Sequence, residues 1–271
     1  MCLFRSAFLA WLIVLSVFRP ARAEPRWSGT PEIEQALARL NVLGSVLMIA
    51  AHPDDENNLL LAWFARGRHY RTAYLSATRG EGGQNLIGPE LGVELGLIRT
   101  QELLAARRID GALQFFTRAV DFGFSKSAEE TLATWGRERI LSDMVWVIRH
   151  YRPDVITMTF SGTPRDGHGH HQASGMLARE AFAAAADPAR FPEQLSRVQP
   201  WRARRLVHHP YFQQPGPGAI RVDGGQFNPV LGHSYAEIAG MSRSMHRSQA
   251  MGSAQPKGQA QRHFVVVAGE P

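Results

Sequence analysis

The chain has 271 residues and a formal net charge of +6. Residues 1–23 hold three arginines and no acid, so the remainder carries about +3, too mild a charge to argue for nucleic acid. The single cysteine, Cys2, lies in that same segment, which excludes disulfides and a thiol nucleophile from residues 24–271.

Residues 1–23 read as a secretory signal peptide: a basic start, an apolar run from Ala7 to Phe18, and small residues at Ala21 and Ala23 before a cut. The run is short for a membrane span. The expected location is therefore periplasmic or extracellular, with no stable membrane span after cleavage. Residues 24–271 suffice for one sizeable core and read as one domain. The chain stops soon after the strand-like Phe264 to Val267, which leaves open a further C-terminal module.

Helical spacing over Pro31 to Leu40 precedes the continuous apolar run Ser45 to Ala51, which suits a buried strand. Helix and strand signals then alternate. A helix is expected at Glu56 to Arg66, a strand at Thr72 to Ala77, a long helix at Pro89 to Arg108 and a short strand at Gln114 to Val120. One long helix at Ala128 to His150 and a strand at Asp154 to Phe160 follow. Beyond Pro200 the pattern is less regular, with a strand at Arg205 to Phe212 and a helix at Tyr235 to Ser248. The alternation predicts an α/β fold, a Rossmann-like and mostly parallel sheet with helices on both faces. In such open sheets ligands bind beyond the carboxyl ends of the strands.

Two expected strands run directly into polar segments there. Ala51 is followed by His52-Pro53-Asp54-Asp55-Glu56, and Phe160 by Ser161 to His171. His52 and Asp55, three apart in one turn, can face one cation, with Asp54 on its other side. A hydrolytic zinc site takes three protein ligands from His, Asp or Glu and keeps one position open. The third ligand must come from elsewhere, and the dense cluster His168-Gly169-His170-His171 is the candidate source. Taken alone, an Asp-rich turn also reads as a helix start, with Asp54 or Asp55 capping and Glu56 favouring the dipole. The histidine cluster alone reads equally as a solvated Gly-rich loop.

AHPDDE after the first strand and GHGHHQA after a later one resemble the PIG-L/LmbE superfamily of N-acetylglucosaminyl deacetylases. The likeness extends to Thr78-Arg79-Gly80-Glu81-Gly82-Gly83 and to Arg99-Thr100-Gln101-Glu102, and covers about residues 44 to 250. It implies that His52, Asp55 and His171 bind Zn²⁺, that Asp54 is the general base, and that His168 helps to hold the oxyanion. It implies an N-acetylated sugar or glycoconjugate as substrate. Many members carry HPDH where this chain has His168-Gly169-His170-His171, so His170 stands in place of their aspartate. Asn85, Arg99 and Glu81 are substrate contacts by the same resemblance, against local pairing such as Arg99 with Glu102. Either Asp54 or His168 is the donor to the leaving amine.

A non-catalytic carbohydrate-binding module using the same metal cleft is the alternative. Asp54 favours catalysis, because a pure binder needs no base beside its metal. The glycines of Arg79 to Gly83 lack the Lys-Ser/Thr of a phosphate loop, and no G-x-G-x-x-G follows the first strand, which argues against a nucleotide site. His208-His209 reads as packing rather than as a second metal site. Arg243 and His246 lie where the last helix meets the substrate mouth, or else belong to an amphipathic helix face.

Overall fold

The computed structural model describes residues 27–210, 216–252 and 254–270. The expected signal segment and the end of the expected strand at Arg205 to Phe212 lie outside the described residues. Helix α1 (Thr30–Arg39) leads to β1 (Ser45–Ala50), then α2 (Asn58–Ala62) with a π-helical turn at Trp63–Gly67, β2 (Arg71–Ser76), α3 (Val93–Asp110) and β3 (Leu113–Phe116). Next come α4 (Ala128–Trp135), α5 (Arg137–Tyr151), β4 (Val155–Met158), α6 (Gly169–Ala184) and β5 (Arg205–His208). Short strands β6 (Ile220–Asp223), β7 (Phe227–Asn228) and β8 (His233–Ser234), helix α7 (Tyr235–Arg243) and the long strand β9 (Gln261–Gly269) complete the order.

Seven strands form one sheet in the order β3-β2-β1-β4-β5-β9-β6. The first five are parallel, with Val46 opposite both Thr72 of β2 and Val155 of β4. Strands β9 and β6 close one edge in antiparallel pairing. Every residue of β1 is buried, as a central parallel strand covered on both faces requires. Its side chains alternate between two cores. Leu47 and Ile49 pack with Leu132, Met144, Ile148 and Leu177 on the α4–α6 side, while Val46 and Met48 pack with Leu60, Phe64 and Leu103 on the α2–α3 side.

The expected helix at Ala128 to His150 is two helices. Gly136 takes φ 76°, a left-handed conformation that glycine enters without steric cost, and turns the chain between α4 and α5. Helix α6 was not expected; the run Ala173 to Ala184 carries strong helix formers, and its Ala173, Leu177, Ala178 and Ala181 fill the core. Gly175 lets this helix pass against the exit of β4, since a Cβ there would lie 2.4 Å from the Gly162 nitrogen. Buried Arg149 at the end of α5 donates to carbonyls of Ala184, Ala185, Asp187, Arg190 and Phe191, supplying a cation to the last carbonyls of α6.

From β1 the chain builds outward to β2 and β3 on one side and later to β4 and β5 on the other. The direction of winding reverses between neighbours β1 and β4, and the crevice at such a reversal is where open α/β sheets place ligands. The two polar segments singled out in the sequence both leave the sheet there. Among the described residues no helix is long and apolar enough to cross a membrane.

Candidate metal centre and active site

The turn after β1 is held in a conformation that it does not favour. Asp54 has φ 96°, outside the regions open to most L-residues. Its N–H donates to Glu56 Oε2 at 2.8 Å, and Glu56 in turn accepts from Arg107 at 3.1 Å and from His246 Nε2 at 2.8 Å. Arg107 also binds Asp110 at 2.6 Å, and Asp110 accepts from Ser242 at 2.8 Å. Glu56, Asp110, Ser242 and His246 are all fully buried. The turn thus rests on a buried charge network that reaches α3 and α7. Neither Asp54 nor Asp55 caps a helix, contrary to that reading of the motif; α2 starts later and its cap is Asn57, whose side chain accepts from the Leu60 N–H.

This clamp leaves the side chains of 52, 54 and 55 free for the crevice. His52 Nδ1 lies 3.0 Å from Asp55 Oδ2, and Tyr74 Oη donates to the His52 carbonyl. Across the crevice, His171 Nε2 lies 3.5 Å from Asp55 Oδ1. His52, Asp55 and His171 offer one ligand atom each within 4.8 Å of one another. The His171 ring stacks on Phe160, 3.9 Å between centroids and 7° from parallel, and its Nδ1 faces the Asp166 carbonyl at 3.3 Å. A proton on Nδ1 for that carbonyl leaves the Nε2 lone pair facing Asp55. Two imidazoles and one carboxylate suit zinc, and the side open to the cavity leaves room for water or substrate.

His170 and His171 occupy the first turn of α6 rather than a solvated loop. His170 is fully buried behind His52, with Nδ1 2.9 Å from His52 Nε2, and packs between Trp135 and Phe122. His52, His168 and His170 form a second group of closely spaced donors. The contact between His52 and His170 is a hydrogen bond between two rings, and that group contains no carboxylate. Buried Asp121, which sequence reasoning did not single out, lies 3.7 Å from both His52 Nε2 and His170 Nδ1. Its position just past β3, at another strand end, was the available signal.

His168 is the N-cap of α6: its Nδ1 accepts the His170 N–H at 3.0 Å. The remaining ring proton therefore belongs on Nε2. Burial, with His52 and His171 beside it, pushes His168 down to about 4, so the ring is neutral at pH 7. His170 is pushed down to about 2 by burial and the same neighbours. Burial raises Asp54 to about 6 even though Arg99 lies 3.3 Å from its carboxylate. For Asp55 burial pulls the other way but loses to His171 and His52, which hold it near 2. The adjacent carboxylates thus diverge, Asp55 as a permanent anion and Asp54 as a group that exchanges a proton near neutrality.

Arg99 pairs with Asp54 and donates to the carbonyls of Pro53 and Gly80, not to Glu102, which binds Ser248. Glu81 accepts the N–H groups of Arg79 and Asp121, and Asn85 donates to Glu90. His209 is a core residue, its ring between the hydroxyls of Thr157 and Thr159. A cavity of about 470 Å³ opens beside Asp54, Asp55 and His171, between α7 and the approach to β9.

A curated diacetylchitobiose deacetylase of Thermococcus kodakarensis is 31% identical over 150 residues, covering 55% of this chain and 52% of its own length. The chain thus spans about half the length of that relative. Two solved structures share the fold. An N,N'-diacetylchitobiose deacetylase from Pyrococcus horikoshii superposes with TM-score 0.57 at 18% identity, covering 82% of this chain and 80% of the other. A 4-carboxy-2-hydroxymuconate hydratase from Pseudomonas putida superposes with TM-score 0.54 at 16% identity, covering 85% and 98%. The fold alone therefore does not decide the chemistry. The profile of the PIG-L family, described as GlcNAc-PI de-N-acetylase, matches residues 47–182, half of the chain, and the chain belongs to that family.

Proposed function

We propose that the protein is an exported, zinc-dependent N-deacetylase that releases an acyl group from an amino sugar or glycoconjugate. The observation that carries this reading is the convergence of His52, Asp55 and His171 with a second, proton-exchanging carboxylate, Asp54, in the same turn. His52, Asp55 and His171 would hold the zinc, which when bound would lower the pKa of water and polarise an amide carbonyl.

The protein's own groups supply the proton traffic. Asp54, ionised and braced by Arg99, accepts a proton from the attacking water, a role typically worth about 10² to 10⁴ in rate. His168 donates its Nε2–H to the developing oxyanion and stays neutral while doing so. A neutral imidazole is a weak acid, so the proton captured by Asp54 is the one delivered to the leaving amine. Asp121 and His170 fix the rear of the His52 ring, keeping Nδ1 toward the metal side. The signal-like residues 1–23 support export, and the chitobiose deacetylases among its relatives support an N-acetylglucosamine unit in the substrate.

The test is acetate release from N,N'-diacetylchitobiose and a panel of N-acetyl sugars by metal-stripped and zinc-reloaded protein. Loss on chelation and recovery with zinc are expected. Turnover that ignores the chelator, or full activity in His171→Ala, would overturn the reading.

A further inference from the structure

His52 presents its two ring nitrogens to two different groups. Its Nδ1 meets Asp55 Oδ2 at 3.0 Å on the crevice side, and its Nε2 meets His170 Nδ1 at 2.9 Å on the core side. Asp121 completes the second group, 3.7 Å from each of those two nitrogens. Two imidazoles and one carboxylate thus converge behind His52, the same donor set as His52, Asp55 and His171 in front. The spacings match as well. A tetrahedral zinc with bonds of about 2 Å needs ligand atoms about 3.3 Å apart. The separations are 3.0 and 3.5 Å in front, against 2.9, 3.7 and 3.7 Å behind.

The rear group also has an electrostatic reason to take a cation. Asp121 is buried, and its carboxylate accepts the Gly123 N–H but pairs with no Lys or Arg among the described residues. The buried carboxylates of Glu56 and Asp110, by contrast, both hold Arg107. A buried anion without a countercharge is costly, and buried charges are normally paired or bound to a metal. His168, close to the same donors, is not needed there, since its Nδ1 already caps α6.

We propose that His52 Nε2, His170 Nδ1 and Asp121 form a second cation site behind the first, one that takes a divalent transition metal such as Zn²⁺ or Cu²⁺, with His52 bridging the two metals. This goes beyond the deacetylase reading and rests on it for one point, that His52 Nδ1 serves the front metal. Entry of the rear metal displaces the one proton that His52 Nε2 and His170 Nδ1 share. The proton passes to solvent, and His52 becomes an imidazolate bridge. Giving up that proton makes the rear site the weaker of the two, so it fills only when free metal is in excess, and Cu²⁺ fills it more readily than Zn²⁺.

The experiment is equilibrium dialysis of the full chain against rising zinc, with metal per chain counted by mass spectrometry, together with electron paramagnetic resonance of the copper-loaded protein. One zinc per chain is expected at low free zinc and two at high. His170→Ala and Asp121→Asn should each stop at one. Two coppers joined by one imidazolate couple magnetically, so the signal of isolated Cu²⁺ should fall as the second ion binds to the wild type. In Asp121→Asn it should not fall. The coupling in the wild type needs no variant and decides the matter even where a substitution unfolds the chain.

A single zinc at every concentration, or a second ion that survives both substitutions, overturns the rear site. So do two coppers that give the undiminished sum of two isolated signals. Those outcomes leave the deacetylase reading intact where one zinc suffices for acetate release. Two coupled metals with no turnover of any N-acetyl sugar keep the rear site and sink the deacetylase. One metal and no turnover overturns both.

Discussion

Glu56 holds Asp54 in place from beneath: its Oε2 accepts the Asp54 N–H at 2.8 Å, while its Oε1 takes His246 and Arg107. The unfavourable φ of 96° at Asp54 persists because a fully buried anion fixes the N–H that this conformation points inward. Glu56→Gln keeps the shape but removes the carboxylate that Arg107 and His246 share, leaving Arg107 with Asp110 alone. Breaking a buried ion pair costs about 3 to 5 kcal/mol. The variant should lose stability of that order in urea unfolding and lose activity along with it, although Glu56 touches no substrate. Wild-type stability in Glu56→Gln would show that the network does not support the turn.

Asp54 gives the reaction its pH dependence. The base must be ionised to accept a proton, so kcat/KM should fall as acid protonates Asp54 below about pH 6, the value to which burial raises it. A bound cation nearby draws this limb lower and never higher. Asp54→Asn should lose about 10² to 10⁴ in kcat, with zinc content unchanged when measured by mass spectrometry of the metal. Lost metal together with lost activity would move Asp54 from base to ligand.

The site was legible in the sequence as far as strand ends and spacing reach. Strand β1 ran into His52 and Asp55, three apart, and the α/β alternation placed both polar segments on one side of the sheet. The choice between His170 and His171 came from family resemblance, because the helix that begins at Gly169 was not expected. Adjacent residues on a helix point about 100° apart, so one of them enters the crevice and the other the core. Asp121 was invisible for a different reason: its approach to His52 depends on β3 lying two strands from β1, a long-range fact that no local pattern carries. The split at Gly136 was ambiguous in principle, since a lone glycine within a helical pattern is tolerated about as readily as it breaks the helix.

The two adjacent histidines should separate cleanly. His171→Ala removes a donor that faces Asp55, so zinc content and activity should both collapse while the fold survives. His170→Ala removes a ring packed against Trp135 and hydrogen-bonded to the far nitrogen of His52. Loss of such a supporting partner typically weakens metal affinity by about 10- to 100-fold. That variant should also melt earlier, because a buried ring leaves a cavity. Zinc titration against a chromophoric competitor, with thermal unfolding of the apo forms, distinguishes the two. Equal metal affinity in both variants would undo the assignment of His171.

His209 offers a test of stability away from the metal. Burial pushes its ring down to about 3, and His208 and Arg262 nearby act in the same direction. Among the described residues its nitrogens meet the hydroxyls of Thr157 and Thr159. The unfolded chain binds a proton near the ordinary value of 6.5 and the folded chain does not, so the contribution is complete above about pH 6.5 and is lost as pH falls toward 3. Asp54 works against this slope, because its raised folded value favours the folded state as pH drops through about 6. The comparison must therefore be made between wild type and His209→Gln. The wild type should lose on the order of 2 to 3 kcal/mol more than the variant between pH 7 and about pH 4 in urea unfolding. Parallel curves for the two proteins would mean that His209 accepts its proton inside the folded core, and the threonine pair would then have to be read as a hydrogen-bonded cage for a charged ring.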